Sequence, residues 1–96
     1  MAPVVLWKAA PLLTRSWQDG VAVYHIDSGS THLLSPAAGE ILEYLLQSPT
    51  SASHLANRLA GENNVEADSE LHYNIERLLQ HLNSLGLIEP LTSEDL

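Results

Sequence analysis

The chain has 96 residues, 45% of them hydrophobic, enough for one core and too few for two, so a single domain over residues 1–96 is expected. It contains no Cys and no Phe, which excludes disulfides and thiolate metal sites and leaves Leu, Ile, Val and Ala to build the interior around Trp7, Trp17 and the tyrosines. Twelve acids against four bases give a formal charge of −8, a balance that repels the polyanionic backbone of nucleic acids.

Residues Met1 to Leu13 carry a single Lys8 and no apolar run of signal-peptide length, and nothing later approaches the roughly 18 continuous apolar residues of a membrane span. A soluble, cytoplasmic protein without membrane association is the expectation. Val4 to Trp7 reads either as a short strand or as a segment lying on the core, within an N-terminal stretch of residues 1–11. The clear pattern starts at Leu12, where Asp19-Gly20 suits a tight type I′ hairpin turn. Val21 to Ile26 alternates β-branched and aromatic residues, and Asp27-Ser28-Gly29-Ser30 supplies a second turn before Thr31 to Leu34. A four-residue loop pairs Ile26 with Thr31, His25 with His32, and Tyr24 with Leu33. Period two then puts Val21, Val23, His25, His32 and Leu34 on one face, expected to pack on the helices, and Ala22, Tyr24, Ile26, Thr31 and Leu33 on the other.

Ser35-Pro36 opens the first helix, with an N-cap oxygen followed by proline where its missing N–H costs nothing. The stripe Ala38, Ile41, Leu42, Leu45 and Leu46 follows helical spacing to an end near Gln47. Thr50 or Ser51 caps a second, short helix with Ala52, Leu55, Ala56 and Leu59 buried and Gly61 as its stop. After a polar connection, Asp68 or Ser69 caps the longest helix, whose stripe is Leu71, Ile75, Leu78, Leu79, Leu82 and Leu85. Gly86 ends it, Leu87 and Ile88 fold back as an apolar anchor, and residues 92–96 fray in solvent. The fold class is therefore α+β, a small three-stranded antiparallel β-meander followed by a three-helix bundle, with a core of about 12–91. This is the outline of a winged helix-turn-helix in altered order.

DNA recognition is the obvious use of such an outline, but the long helix offers Arg77 alone against Glu70 and Glu76, which makes a DNA-binding regulator the weakest reading. Histidines 25 and 32 would be cross-strand neighbours, yet no pair sits at i, i+4 on a helix and no carboxylate completes a ligand set, so no metal site is expected. Nucleophile elbow, phosphate-binding glycine loop and HExxH are all absent, so no catalytic residues, no cofactor and no enzyme activity are expected. Glu40 and Glu43 read as a solvated helix face. Gly39, inside a helix, either allows close approach of another element or costs a little stability.

The order of elements resembles the PqqD-like peptide chaperones of ribosomally made, modified peptides. The resemblance is carried by Trp17-Gln18-Asp19-Gly20, Val21-Ala22-Val23-Tyr24-His25, Thr31-His32-Leu33-Leu34-Ser35-Pro36-Ala37-Ala38-Gly39-Glu40-Ile41-Leu42, Ser53-His54-Leu55-Ala56, and Leu82-Asn83-Ser84-Leu85-Gly86-Leu87-Ile88. Its Tyr-His and Thr-His-Leu-Leu elements look closest to the subgroup associated with HPr-kinase-related proteins. The resemblance implies a non-catalytic RiPP recognition element that binds the leader segment of a precursor peptide by strand addition to Thr31, His32, Leu33 and Leu34 and presents it to a modifying enzyme or an HPr-kinase-related protein.

In that family the last helix closes the groove. Winding 100° per residue from Leu71 puts Asn74, Arg77 and His81 on one flank, bordered by Leu78 and Leu85, and His72, Glu76 and Asn83 on the other. The first flank is the expected one, with Arg77 paired to an acidic peptide residue. Trp7 and Trp17 can each stack in the core or form an exposed patch for homodimerisation or enzyme docking. The alternative function is accordingly a protein-interaction or dimerisation module without a leader-peptide client.

Overall fold

The computed structural model describes residues 5–91. In chain order these form β1 (Leu6–Ala9), β2 (Leu12–Trp17), β3 (Gly20–His25), β4 (Thr31–Leu34), α1 (Pro36–Gln47), α2 (Ala52–Glu62), α3 (Ser69–Ser84) and β5 (Ile88–Leu91). Strands β2-β3-β4 make the expected three-stranded antiparallel meander, followed by three helices. A second, two-stranded sheet pairs β1 antiparallel with β5, so the N-terminal stretch is a strand from Leu6 onward, and the apolar anchor after α3 continues into one as well. Val4, and the expected fraying of residues 92–96, lie outside the described residues.

The first hairpin differs from expectation at its turn. Trp17 pairs with Gly20, so the two-residue loop is Gln18-Asp19, and none of Gln18, Asp19 or Gly20 has a positive φ, which rules out type I′. Gly20 serves a different purpose: a Cβ there would sit 2.4 Å from the Leu34 carbonyl oxygen of β4. The second hairpin is shifted by two residues from the expected register. Tyr24 pairs with Thr31, Val23 with His32 and Val21 with Leu34, because Gly29 N–H turns back to the His25 carbonyl oxygen at 2.8 Å and widens the loop. His25 and His32 are therefore not directly opposite each other. His25 Nδ1 accepts from Ser28 N–H and His32 Nε2 lies 3.1 Å from Ser30 Oγ, so each imidazole is tied into the loop instead. A slip of two preserves the faces. Val21, Val23 and Leu34 are buried against the helices while Tyr24 and Leu33 are exposed, as the alternation predicts.

Each helix begins where its cap dictates. Ser35 Oγ accepts from Ala38 N–H, Ser51 Oγ from His54 N–H and Asp68 Oδ1 from Leu71 N–H, which satisfies donors that a helix start leaves open. The core joins Val21, Val23 and Leu34 to Ile41, Leu42 and Leu45 of α1, Leu55 and Ala56 of α2, Ile75, Leu79 and Leu82 of α3, and Leu87 and Ile88 beyond it. Leu46, placed on the buried stripe by spacing, is exposed, since α1 buries a face centred on Leu42. Gly61 does not end α2, which runs one residue further to Glu62, and the left-handed residue that turns the chain is Asn64 at φ 56°. Gly86 does adopt positive φ, at 78°, and ends the α3 segment as expected.

Candidate functional site: a free strand edge and the α3 flank

Hydrogen bonding in an antiparallel sheet alternates, so one bond fixes which residues face a neighbour. His25 N–H donates to the Ser30 carbonyl oxygen at 2.8 Å, which makes Val23–His32 and Val21–Leu34 the bonded pairs of β3 and β4. The N–H and C=O groups of Thr31 and Leu33 then point away from β3. They have no partner among the described residues, because β4 is the outer strand of its sheet. Leu33 is 73% exposed, Thr31 is exposed, His32 is half-buried and Leu34 is buried. The strand Thr-His-Leu-Leu carries no proline, Lys, Arg or acid, the residues with which exposed edges are ordinarily blunted. By contrast β5 holds Pro90 opposite Trp7, where the absent N–H would have faced outward.

On α3 the structure brings Asn74, Arg77, Leu78 and His81 together around a shallow groove of about 480 Å³. Helical spacing alone had grouped these four. Leu85, the fifth, is half-buried against the core and does not line the groove, and neither does any residue of β4. The Arg77 guanidinium lies 5.8 Å from the Tyr73 ring centroid and has no carboxylate within ion-pair distance among the described residues, where the ion pair is Lys8–Glu89. Its charge is available to a ligand.

The opposite flank of α3 is also concave. Glu76, Gln80 and Asn83 join Val5, Trp7, Pro90 and the first turn of α2 around a cavity of about 730 Å³. Helical phase could place Glu76 and Asn83 on one flank, but the far wall comes from β1 and β5, whose pairing links the two ends of the chain and leaves no local signal. A third feature sits between α1 and α2. The Tyr44 hydroxyl donates to Glu62, which pushes its ionisation above the ordinary value, and the Arg58 guanidinium stacks 4.6 Å over the Tyr44 ring. Glu40 is also raised, by partial burial first and then by the Glu62 and Glu43 charges and a hydrogen bond to Glu62. These side chains clamp two helices, and Tyr44 and Arg58 also line a small cavity of about 40 Å³ with Thr50 and His54.

The structure therefore defines a small α+β protein whose meander keeps its β4 edge unpaired beside a three-helix layer. The family model described as Coenzyme PQQ synthesis protein D (PqqD) matches residues 20–88, from the start of β3 to the start of β5, and the chain belongs to that family. Neither the curated proteins nor the solved structures yield a match. Among the described residues, no helix is long and apolar enough to cross a membrane and no three His, Asp or Glu side chains gather as metal ligands.

Proposed function

We propose that this chain is a non-catalytic peptide carrier that takes up the leader segment of a precursor peptide as an added strand on β4 and presents it to a modifying enzyme or an HPr-kinase-related partner. Membership of the PqqD family supports a peptide-binding role. The observation that carries the reading is the outward, unpartnered N–H and C=O of Thr31 and Leu33 on an unblunted edge. An extended peptide satisfies those groups with its own main chain, so affinity comes largely from backbone and selectivity from side chains. Thr31, His32, Leu33 and Leu34 supply the strand. Asn74, Arg77, Leu78 and His81 supply hydrogen-bonding groups and a cation for the guest's side chains, with Leu85 as the apolar border.

Leu33→Pro tests this directly. The substitution removes an N–H that makes no bond among the described residues, so the fold should survive while the edge loses a donor. With a synthetic leader peptide encoded beside this gene, the wild-type protein should bind with micromolar affinity, roughly −8 kcal/mol, and show amide perturbations at Thr31 and Leu33. The variant should bind at least about tenfold more weakly, a loss of roughly 1.4 kcal/mol. Undiminished binding by a folded Leu33→Pro protein would move the site elsewhere. Because the larger cavity lies at Trp7 and Asn83, perturbations confined to Val5, Trp7 and Asn83 would instead favour a protein-interaction module docking on that flank.

A further inference from the structure

The cavity of about 730 Å³ lies on the flank of α3 that strand addition at β4 leaves unused. Glu76, Gln80 and Asn83 form its polar wall. They stand at i, i+4 and i+7, so they share one edge of the helix and run about 10 Å along its axis. The facing wall is apolar, made by Trp7 of β1, Pro90 of β5 and Val5 just before β1. That wall is held in place, because Trp7 exchanges backbone hydrogen bonds with Thr50 while β1 pairs with β5.

Among the described residues Glu76 is the one charged group lining this cavity, and no cation lies within ion-pair distance of it, the ion pair there being Lys8–Glu89. The chain has four Lys and Arg side chains in all. Lys8 is taken by Glu89, Arg58 stacks on Tyr44, Arg77 lines the groove on the opposite flank of α3, and Arg15 belongs to β2 in the meander. His72, one turn before Glu76, is also beyond ion-pair distance. A cation arriving from outside therefore meets a carboxylate with no competing Lys or Arg, and a net charge of −8 steers it inward.

The walls define the form of that cation. The Glu76 carboxylate and the amide oxygens of Gln80 and Asn83 are successive acceptors, which suit the several donors of a guanidinium better than the point charge of an ammonium. The apolar wall suits an aliphatic stem. Trp7 and Ala52 are buried in the floor, whereas Val5, at 40% exposure, and Pro90 form an exposed apolar rim. A small free cation would leave the rim in water; a polypeptide covers it with its backbone and neighbouring side chains.

We infer that this cavity is a docking site for an arginine side chain projecting from a partner protein, with Glu76 as its counter-ion. The two flanks of α3 then have opposite preferences, Arg77 for acidic groups and Glu76 for basic ones, so one helix can hold two partners at once. The inference does not rest on strand addition at β4.

The probe is the tripeptide acetyl-Ala-Arg-Ala-amide, titrated into the isotope-labelled full chain beside its citrulline counterpart, which keeps the shape and loses the charge. The arginine peptide should shift the indole N–H of Trp7 and the side-chain amides of Gln80 and Asn83. It should bind at least about tenfold more tightly than the citrulline peptide. Glu76→Gln, at an exposed position, should fold as the parent does and erase that preference. Cavity signals unmoved at millimolar arginine peptide, equal affinity for the two peptides, or a preference that persists in Glu76→Gln would overturn the inference. Spermidine acting on the same signals as strongly as the tripeptide would overturn it too, by marking a site for small cations. None of these signals comes from β4, so failure here and failure of the peptide-carrier reading are told apart.

Discussion

One glycine sets how closely α1 and the meander approach each other. Gly39 lies inside α1, where glycine costs about 1 kcal/mol of helix propensity relative to Ala. The reason it stands there is Val21 of β3, since a Cβ on residue 39 would lie 2.2 Å from Val21 Cγ2 and 2.9 Å from its Cβ. Val21 is buried and β-branched, so it has little freedom to withdraw. Gly39→Ala should therefore destabilise the protein by about 1–3 kcal/mol in spite of its better helix propensity, as overpacking does. The denaturation midpoint measures this, and Val21→Ala in the same chain should recover part of the loss by vacating the space. If Gly39→Ala alone were stabilising, the two elements would not be held at this distance. Gly20 does the same within the meander, where it lets β3 approach the Leu34 carbonyl oxygen of β4.

At the scale of elements, the two ends of the chain are joined through β1. Trp7 exchanges hydrogen bonds with Thr50, its N–H donating at 2.7 Å and its carbonyl accepting at 3.1 Å, while β1 pairs with β5 on its other side. Trp7 is only 8% exposed, so this strand anchors both α2's entry and β5 to the core. Trp7→Ala should cost about 3–5 kcal/mol, the range for emptying a large aromatic site, and should speed amide exchange in Leu6–Ala9 and Ile88–Leu91 together. Exchange that quickens in one strand alone would show that they do not open as a unit.

This tie was the least legible part of the sequence, because it depends on residues some eighty positions apart. The helices were legible nearly to the residue, since Ser35-Pro36, Ser51 and Asp68 are local signals that their own first turns satisfy. The sheet faces were legible as well, from the alternation Val21, Val23 against Ala22, Tyr24. Register was not, because a loop of four and a loop of six put the same side chains on the same faces. The four groove residues of α3 followed from helical phase. Their relation to β4 depends on how the helix layer sits on the meander, which no spacing along the chain encodes.

For the molecule as a whole, the excess of acid over base is felt at the junction of α1 and α2. Glu40 is held above its ordinary value of 4.5 by partial burial and by Glu62 and Glu43. Between that value and the raised one, the folded chain holds a proton at Glu40 that the unfolded chain has lost, so stability falls as pH rises through the interval. The contribution is complete below 4.5 and gone above the folded value, leaving the native protein at neutral pH with a carboxylate in an unfavourable place. Glu40→Gln removes the charge and keeps the size of the side chain. Calorimetry should show the variant melting above the parent at pH 7 and the difference closing as pH falls below 4.5. The junction is largely solvent-facing, so the gain should be modest and should shrink in high salt, which screens exposed charges. A difference of the same size at low pH would mean that packing, and not repulsion among the glutamates, governs how the two helices meet.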